Sequence, residues 1–124
     1  MQHPLTDSIF AFSATEGRTL VVLVSLSCRI CIDEAHAIVA IVRAFPAQQR
    51  VIMLRENIHK LEVLPAAYRA VADQIFNPLN PVAPPLSSTP AFIVVERGEA
   101  EVVWVGIPGW VQRVRAYSKY TRGT

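Results

Sequence analysis

VVLVSLSCRICIDEAHAIVAIV, residues 21–42, is the stretch that decides the fold, because two structural periods meet inside it at a pair of cysteines three positions apart. Residues 19–26, TLVVLVSL, are rich in β-branched side chains and apolar on both alternating faces, as a central strand covered by helices on both sides requires. From Arg29 to Phe45 there is no Gly or Pro, Asp33 and Glu34 fall in the first turns, and Pro46 follows the end. That pattern predicts a helix. The CRIC pair, Cys28 and Cys31, therefore stands where a buried strand hands over to a helix N-terminus.

Three chemistries fit such a pair. At a helix start, unpaired N–H groups and the positive end of the helix dipole stabilise a thiolate, bringing a cysteine pKa from about 8.5 down to roughly 3.5–7.5. Spacing i, i+3 on one turn also allows the short Cβ separation of a disulfide. In this reading Cys28 attacks and Cys31, one turn in, resolves the mixed disulfide. The second chemistry is zinc, but one CxxC supplies two of four ligands and no second CxxC or CxxH exists. The nearby His36 is rotated about 140° from Cys31 on an ideal helix. The third is a pair of inert core thiols, since cysteine is among the most buried residue types.

Working outward, LTDSIFAFSA at residues 5–14 has Leu5, Ile9 and Phe12 at helical spacing and reads as a leading helix. QRVIMLRE, residues 49–56, reads as a second strand, parallel to the first by the right-handed crossover rule. Leu64, Ala67, Tyr68, Val71, Ala72, Ile75 and Phe76 share helical spacing, with Pro65 suited to a first turn. Residues 77–90, NPLNPVAPPLSSTP, hold five of the nine prolines and read as an ordered loop. AFIVV and EVVWVG flank a Gly-containing turn and predict a hairpin. IPGWVQRVRAYSKY closes the chain as a helix, with Trp110, Val111, Val114 and Tyr117 expected on its packed face and Trp110 as an anchor against the hairpin. The other place for Trp110 is a substrate surface near the active end.

With 124 residues, 52% hydrophobic and 18% charged, the chain is sized for a single domain spanning residues 1–124. A net charge of +2 with scattered cations lacks the dense basic face of a nucleic-acid binder. Arg113, Arg115, Lys119 and Arg122 cluster near the C-terminus, where they complement the negative end of the last helix. No signal-peptide pattern opens the chain, and its apolar runs break before the roughly 20 residues that span a bilayer. The expectation is a soluble, cytoplasmic protein with neither membrane nor nucleic acid among its partners. Oligomeric state is not encoded in these patterns.

The order of elements, the CxxC after the first central strand and the STP before the hairpin together resemble the thioredoxin superfamily over roughly residues 19–117. TPAFIVVERGEAEVVWVG is similar to that family's succession of cis-proline, strand, Gly turn, strand and glycine. The resemblance implies a thioredoxin-like α/β fold, a central mixed sheet of about four strands flanked by helices. It implies Cys28 as nucleophile and Cys31 as resolving thiol, with Pro90 as a cis-proline facing them and Thr89 offering its backbone to an extended substrate. The residue-level alternative for Pro90 is a trans proline opening a strand. Arg29 and Ile30 fall between the cysteines, and Arg29 is expected to favour the Cys28 thiolate against the more distant Asp33 and Glu34.

The departures bear on function. Ser27 stands where thioredoxins carry a Trp, Arg29 and Ile30 replace Gly-Pro, and Val22 aligns with the family's buried acid. The Gly-Gly element of glutaredoxins does not follow the hairpin, so a glutathione site is not expected. The resulting expectation is a thiol-disulfide oxidoreductase acting on a protein thiol or disulfide substrate, working with a further redox partner. It needs no separate cofactor and no metal, because the two sulfurs carry both electrons. The alternative is a non-enzymatic interaction module with CRIC as a local staple. Residues 77–89 are expected to form a substrate-selecting rim, with apolar contact from Leu79, Val82 and Leu86.

Overall fold

The computed structural model describes residues 17–55, 64–76, 89–97 and 99–122. Strand β1 (Thr19–Val24) is buried at every position. Its alternation explains why: Leu20, Val22 and Val24 enter one apolar cluster, and Val21 and Leu23 enter a second. After a turn closed by the Cys28 N–H to the Ser25 carbonyl at 3.1 Å, the chain forms α1 (Arg29–Asp33) and α2 (Ala35–Ala44). Strand β2 (Gln49–Leu54), helix α3 (Ala66–Val71) and strand β3 (Gln74–Phe76) follow. The described chain ends with β4 (Ala91–Glu96), β5 (Glu99–Val105) and α4 (Trp110–Arg122).

These strands make one sheet in the order β3, β2, β1, β4, β5. β1 runs parallel to β2 and β2 parallel to β3, while β4 is antiparallel to both β1 and β5. On one face Leu20, Val22, Ile52 and Phe92 pack with Ile38 and Val42 of α2, Tyr68 of α3, and Ala116 and Tyr120 of α4. Each such large apolar side chain taken fully from water contributes roughly 1.5–3 kcal/mol. On the other face Val21, Leu23, Val51, Met53, Ile93 and Val95 are equally buried, and none of the described helices contributes to that cluster. Among the described residues no helix is long and apolar enough to cross a membrane.

Three expectations need correction. The sheet has five strands among the described residues, not about four, because the helix expected to reach Phe76 stops at Val71. Ala72 turns extended, and Asp73 then locks onto β2: its N–H donates to the Arg50 carbonyl at 2.8 Å and its carboxylate accepts the Arg50 N–H at 2.7 Å. Gln74–Phe76 is thereby laid along the open edge of β2, whose backbone groups need partners more than the helix needs another turn. The helix expected from Arg29 to Phe45 is divided at Glu34, which has φ −109° and ψ 27°.

The last correction concerns α4. Its packed face is Ala116 and Tyr120, with Arg113 and Tyr117 half-buried, while Val111 and Val114 are exposed and Trp110 is 70% exposed. Aromatic packing decides this. Tyr120 and Tyr117 lie 5.3 and 6.0 Å from the Phe45 ring, and Trp104 lies 5.9 Å from it. Tyrosine brings more apolar area to that ring cluster than valine does. The hairpin supplies the anchor through Trp104, where a bulge opposite Phe92 and Ile93 lets both Val103 and Trp104 pack on the core. The leading helix expected over residues 5–14 and the loop residues 77–88, with Leu79, Val82 and Leu86, lie outside the described residues.

Candidate functional site

Cys28 is the residue that starts α1. Its backbone is extended, at φ −88° and ψ 113°, and its Sγ accepts the Cys31 N–H at 3.2 Å. Sulfur here takes the place that a Ser or Asp oxygen takes in an ordinary helix cap. The same Sγ lies 3.4 Å from the Thr89 carbonyl oxygen, to which the thiol donates. Thr89 comes from the segment entering β4, and its bond to Pro90 is cis. Pro90 is tied in turn to the end of β5, where the Gly106 N–H donates to the Pro90 carbonyl at 2.7 Å. Gly106 makes that contact at φ +84°, a left-handed conformation that glycine adopts without a Cβ penalty.

The two thiols live in opposite surroundings. Burial by itself would raise the Cys28 pKa, but hydrogen bonds from Cys31 and at Thr89, with backbone N–H groups of Cys31 and Ile30, outweigh it and hold the thiol below its ordinary value of 9.0. Burial pushes the Cys31 thiol up to about 12, and its hydrogen bond to Cys28 adds to the rise. Both cysteines are free thiols, Cys28 half-buried and Cys31 1% exposed. Cys31 shares its apolar cluster with Val22, whose side chain is fully buried and holds no proton acceptor.

Tyr68 was not legible in the sequence as a site residue. On α3 it looks like one more apolar position at helical spacing. In the fold it is fully buried, and its hydroxyl donates to the Cys31 carbonyl at 2.5 Å. A side chain enters the helical ladder at the break between α1 and α2, which ties the CRIC turn to α3. Burial, then the nearby charges of Cys31 and Cys28, raise the Tyr68 pKa and keep the hydroxyl a donor.

The fold brings Cys28, Cys31, Thr89 and Pro90 together. Ile30 remains at the surface beside them, 46% exposed. Arg29 does not join the group. Its side chain is 92% exposed and pairs with Asp33 at 3.6 Å, so the sequence expectation that its charge favours the Cys28 thiolate gives way to hydrogen bonding from the turn itself. Among the described residues no three or more His, Cys, Asp or Glu side chains gather into a cluster, and His36 is exposed on α2.

No protein-family model matches the chain, and no curated protein sequence matches it. Among solved structures, MTB DsbF in its mixed oxidized and reduced forms superposes with a TM-score of 0.56 and 12% sequence identity, over 88% of this chain and 84% of DsbF. The fold is thioredoxin-like. In that thioredoxin-like frame, Cys28 and Cys31 form a CxxC pair at the sheet end that also carries Thr89 and Pro90.

Proposed function

We propose that the chain is a thiol-disulfide oxidoreductase acting on protein disulfides and dithiols through Cys28 and Cys31. The observation that carries this reading is the opposite tuning of the two thiols on one turn: Cys28 is lowered and half-exposed, Cys31 is raised and buried. The likeness in fold to MTB DsbF, a protein seen in mixed oxidized and reduced forms, supports it.

The chemistry balances without a cofactor. The Cys28 thiolate attacks one sulfur of a substrate disulfide, the substrate S–S bond breaks, and its departing thiolate takes a proton. Cys31 then loses its proton and attacks the Cys28 sulfur, forming the Cys28–Cys31 disulfide and releasing the second substrate thiol. Two electrons and two protons pass to the substrate. Run in reverse, the oxidised pair takes two electrons from a dithiol. A protein dithiol or disulfide of suitable potential resets the pair.

One observation favours the interaction-module alternative: among the described residues, the apolar floor around Cys31 and Val22 offers no base for the second step. The equilibrium of Cys28 and Cys31 against a glutathione buffer, measured beside reduction of a disulfide-bonded protein, separates the two. An enzyme gives measurable reduction that falls to background in Cys28→Ser, with a potential above about −300 mV. A potential below that value with no reduction of the protein substrate assigns the pair to a structural staple.

A further inference from the structure

The reactive edge continues past the sulfurs onto a surface that the chemistry does not use. From Cys28 the contacts run to the Thr89 carbonyl, and from Pro90 to the Gly106 N–H at 2.7 Å. The next residue, Ile107, is exposed, and so are Trp110 and Val111 at the start of α4. Trp110 is a large aromatic side chain with 70% of its surface in water, although a tryptophan usually occupies a core or an interface. The Arg113 guanidinium lies 5.5 Å from its ring centroid, so the aromatic face already carries a cation. Arg115, one turn past Val111, is exposed and lines a groove with Glu101 and Lys119. No Asp or Glu occurs from residue 102 to residue 122. The nearest acid of β5, Glu101, is paired with Lys119 at 3.1 Å.

An apolar face rimmed by arginines fits a partner with the complementary pattern. It is continuous with the place where a substrate disulfide meets Cys28, so the occupant that reaches both is one chain. Resting on the oxidoreductase reading, we propose that Ile107, Trp110 and Val111, with Arg113 and Arg115, form a subsite for an extended polypeptide segment of the substrate that carries an aliphatic or aromatic residue next to a carboxylate. The subsite determines which protein disulfides are presented to Cys28. It takes no part in the sulfur chemistry. Trp110 supplies the contact area, and the arginines select the sign of the neighbouring charge.

The test uses the full-length reduced protein and three disulfides: hydroxyethyl disulfide, a peptide disulfide flanked by Leu-Glu, and the same peptide flanked by Gly-Lys. The Leu-Glu peptide is expected to react about tenfold faster than the Gly-Lys peptide. Trp110→Ala should remove that preference and leave the rate with hydroxyethyl disulfide unchanged. Arg115→Glu should turn the charge preference toward the Gly-Lys peptide. Trp110 is exposed, so its replacement leaves the core intact. A second readout needs no redox chemistry: the Leu-Glu peptide with serine for cysteine should shift the tryptophan emission, and Trp110→Phe should abolish the shift. Equal rates for both peptides, or no emission change, overturns the subsite while normal reaction with hydroxyethyl disulfide leaves the oxidoreductase reading standing. No reaction with any disulfide, with the emission shift intact, counts against that reading and keeps the subsite. An emission shift with phosphatidylglycerol vesicles, or on raising the protein concentration, and none with peptide assigns this surface to a membrane or to a second copy and overturns the proposal.

Discussion

The mouth and the floor of the site lie one helical turn apart and obey different physics. At the mouth, backbone N–H groups, the Cys31 thiol and the Thr89 side chain hydrogen-bond Cys28, and water reaches it. At the floor, Cys31 meets Val22, Tyr68 and the rest of the apolar cluster. Negative charge is therefore favoured on one sulfur and opposed on the other, although Cys28 caps the same five-residue helix that holds Cys31. The difference teaches that a CxxC spacing fixes which atoms can bond, and that the layer of the fold each atom enters decides which one ionises.

The comparison breaks most visibly in thiol reactivity. Near neutral pH, iodoacetamide should label Cys28 at least about 100-fold faster than Cys31, read by mass spectrometry of the digested protein. Equal rates would dissolve the distinction between mouth and floor. Titration carries the same contrast into stability. A thiol whose folded pKa is raised stabilises the fold below its unfolded value, so the contribution of Cys31 is complete below about pH 9 and is lost as pH rises towards 12. Cys28, lowered in the fold, contributes in the opposite sense: its stabilisation is present above the unfolded value and is lost as pH falls through the folded one. Urea midpoints of the reduced protein from pH 9 upward should fall more steeply than those of Cys31→Ala.

Giving the floor a base should sharpen the contrast next. Val22→Asp places a carboxylate in the cluster that holds Cys31, and release of the mixed disulfide should quicken by about tenfold or more while the first attack by Cys28 is unchanged. The variant should also lose several kcal/mol of stability from burying the carboxyl. A release rate in the folded variant no faster than that of the parent shows that proton removal at the floor does not limit the second step.

Tyr68→Phe tests how firmly the floor is held. Removing the hydroxyl deprives the buried Cys31 carbonyl of its donor and should cost about 1–3 kcal/mol in urea unfolding. Alkylation of Cys28 should keep its rate, because that thiol draws its stabilisation from the turn. The smallest effect belongs to Arg29→Gln: with the guanidinium in solvent and paired to Asp33, the Cys28 alkylation rate should change by less than about twofold. A larger drop would restore Arg29 to the mouth of the site.

Much of this fold is written in local pattern. The two apolar faces of β1, the parallel β1 and β2, the hairpin of β4 and β5 and the final helix all follow from periodicity, Gly and Pro placement and crossover handedness. Cys28 and Cys31 are legible for the same reason: their spacing and their place after a buried strand are local facts. What neighbours across space contribute is not. Helical spacing extends through Phe76, yet the open edge of β2 and the Asp73 contacts with Arg50 claim the last residues as a strand. The valines of α4 look like its buried stripe, yet the Phe45 and Trp104 rings select the tyrosines.

Among the described residues, the sequence by itself determined the elements other than β3 and the presence of a CxxC pair at a strand-to-helix junction, because these depend on residues within a few positions of one another. Only the tertiary structure decided that Thr89 and not Arg29 meets the Cys28 sulfur, that Tyr68 holds the Cys31 carbonyl, and that Trp110 stands in solvent. Those outcomes depend on which surfaces the sheet leaves to be covered. Burial and hydrogen bonding, which set the two thiol pKa values, are properties of the packed assembly and not of any stretch of chain.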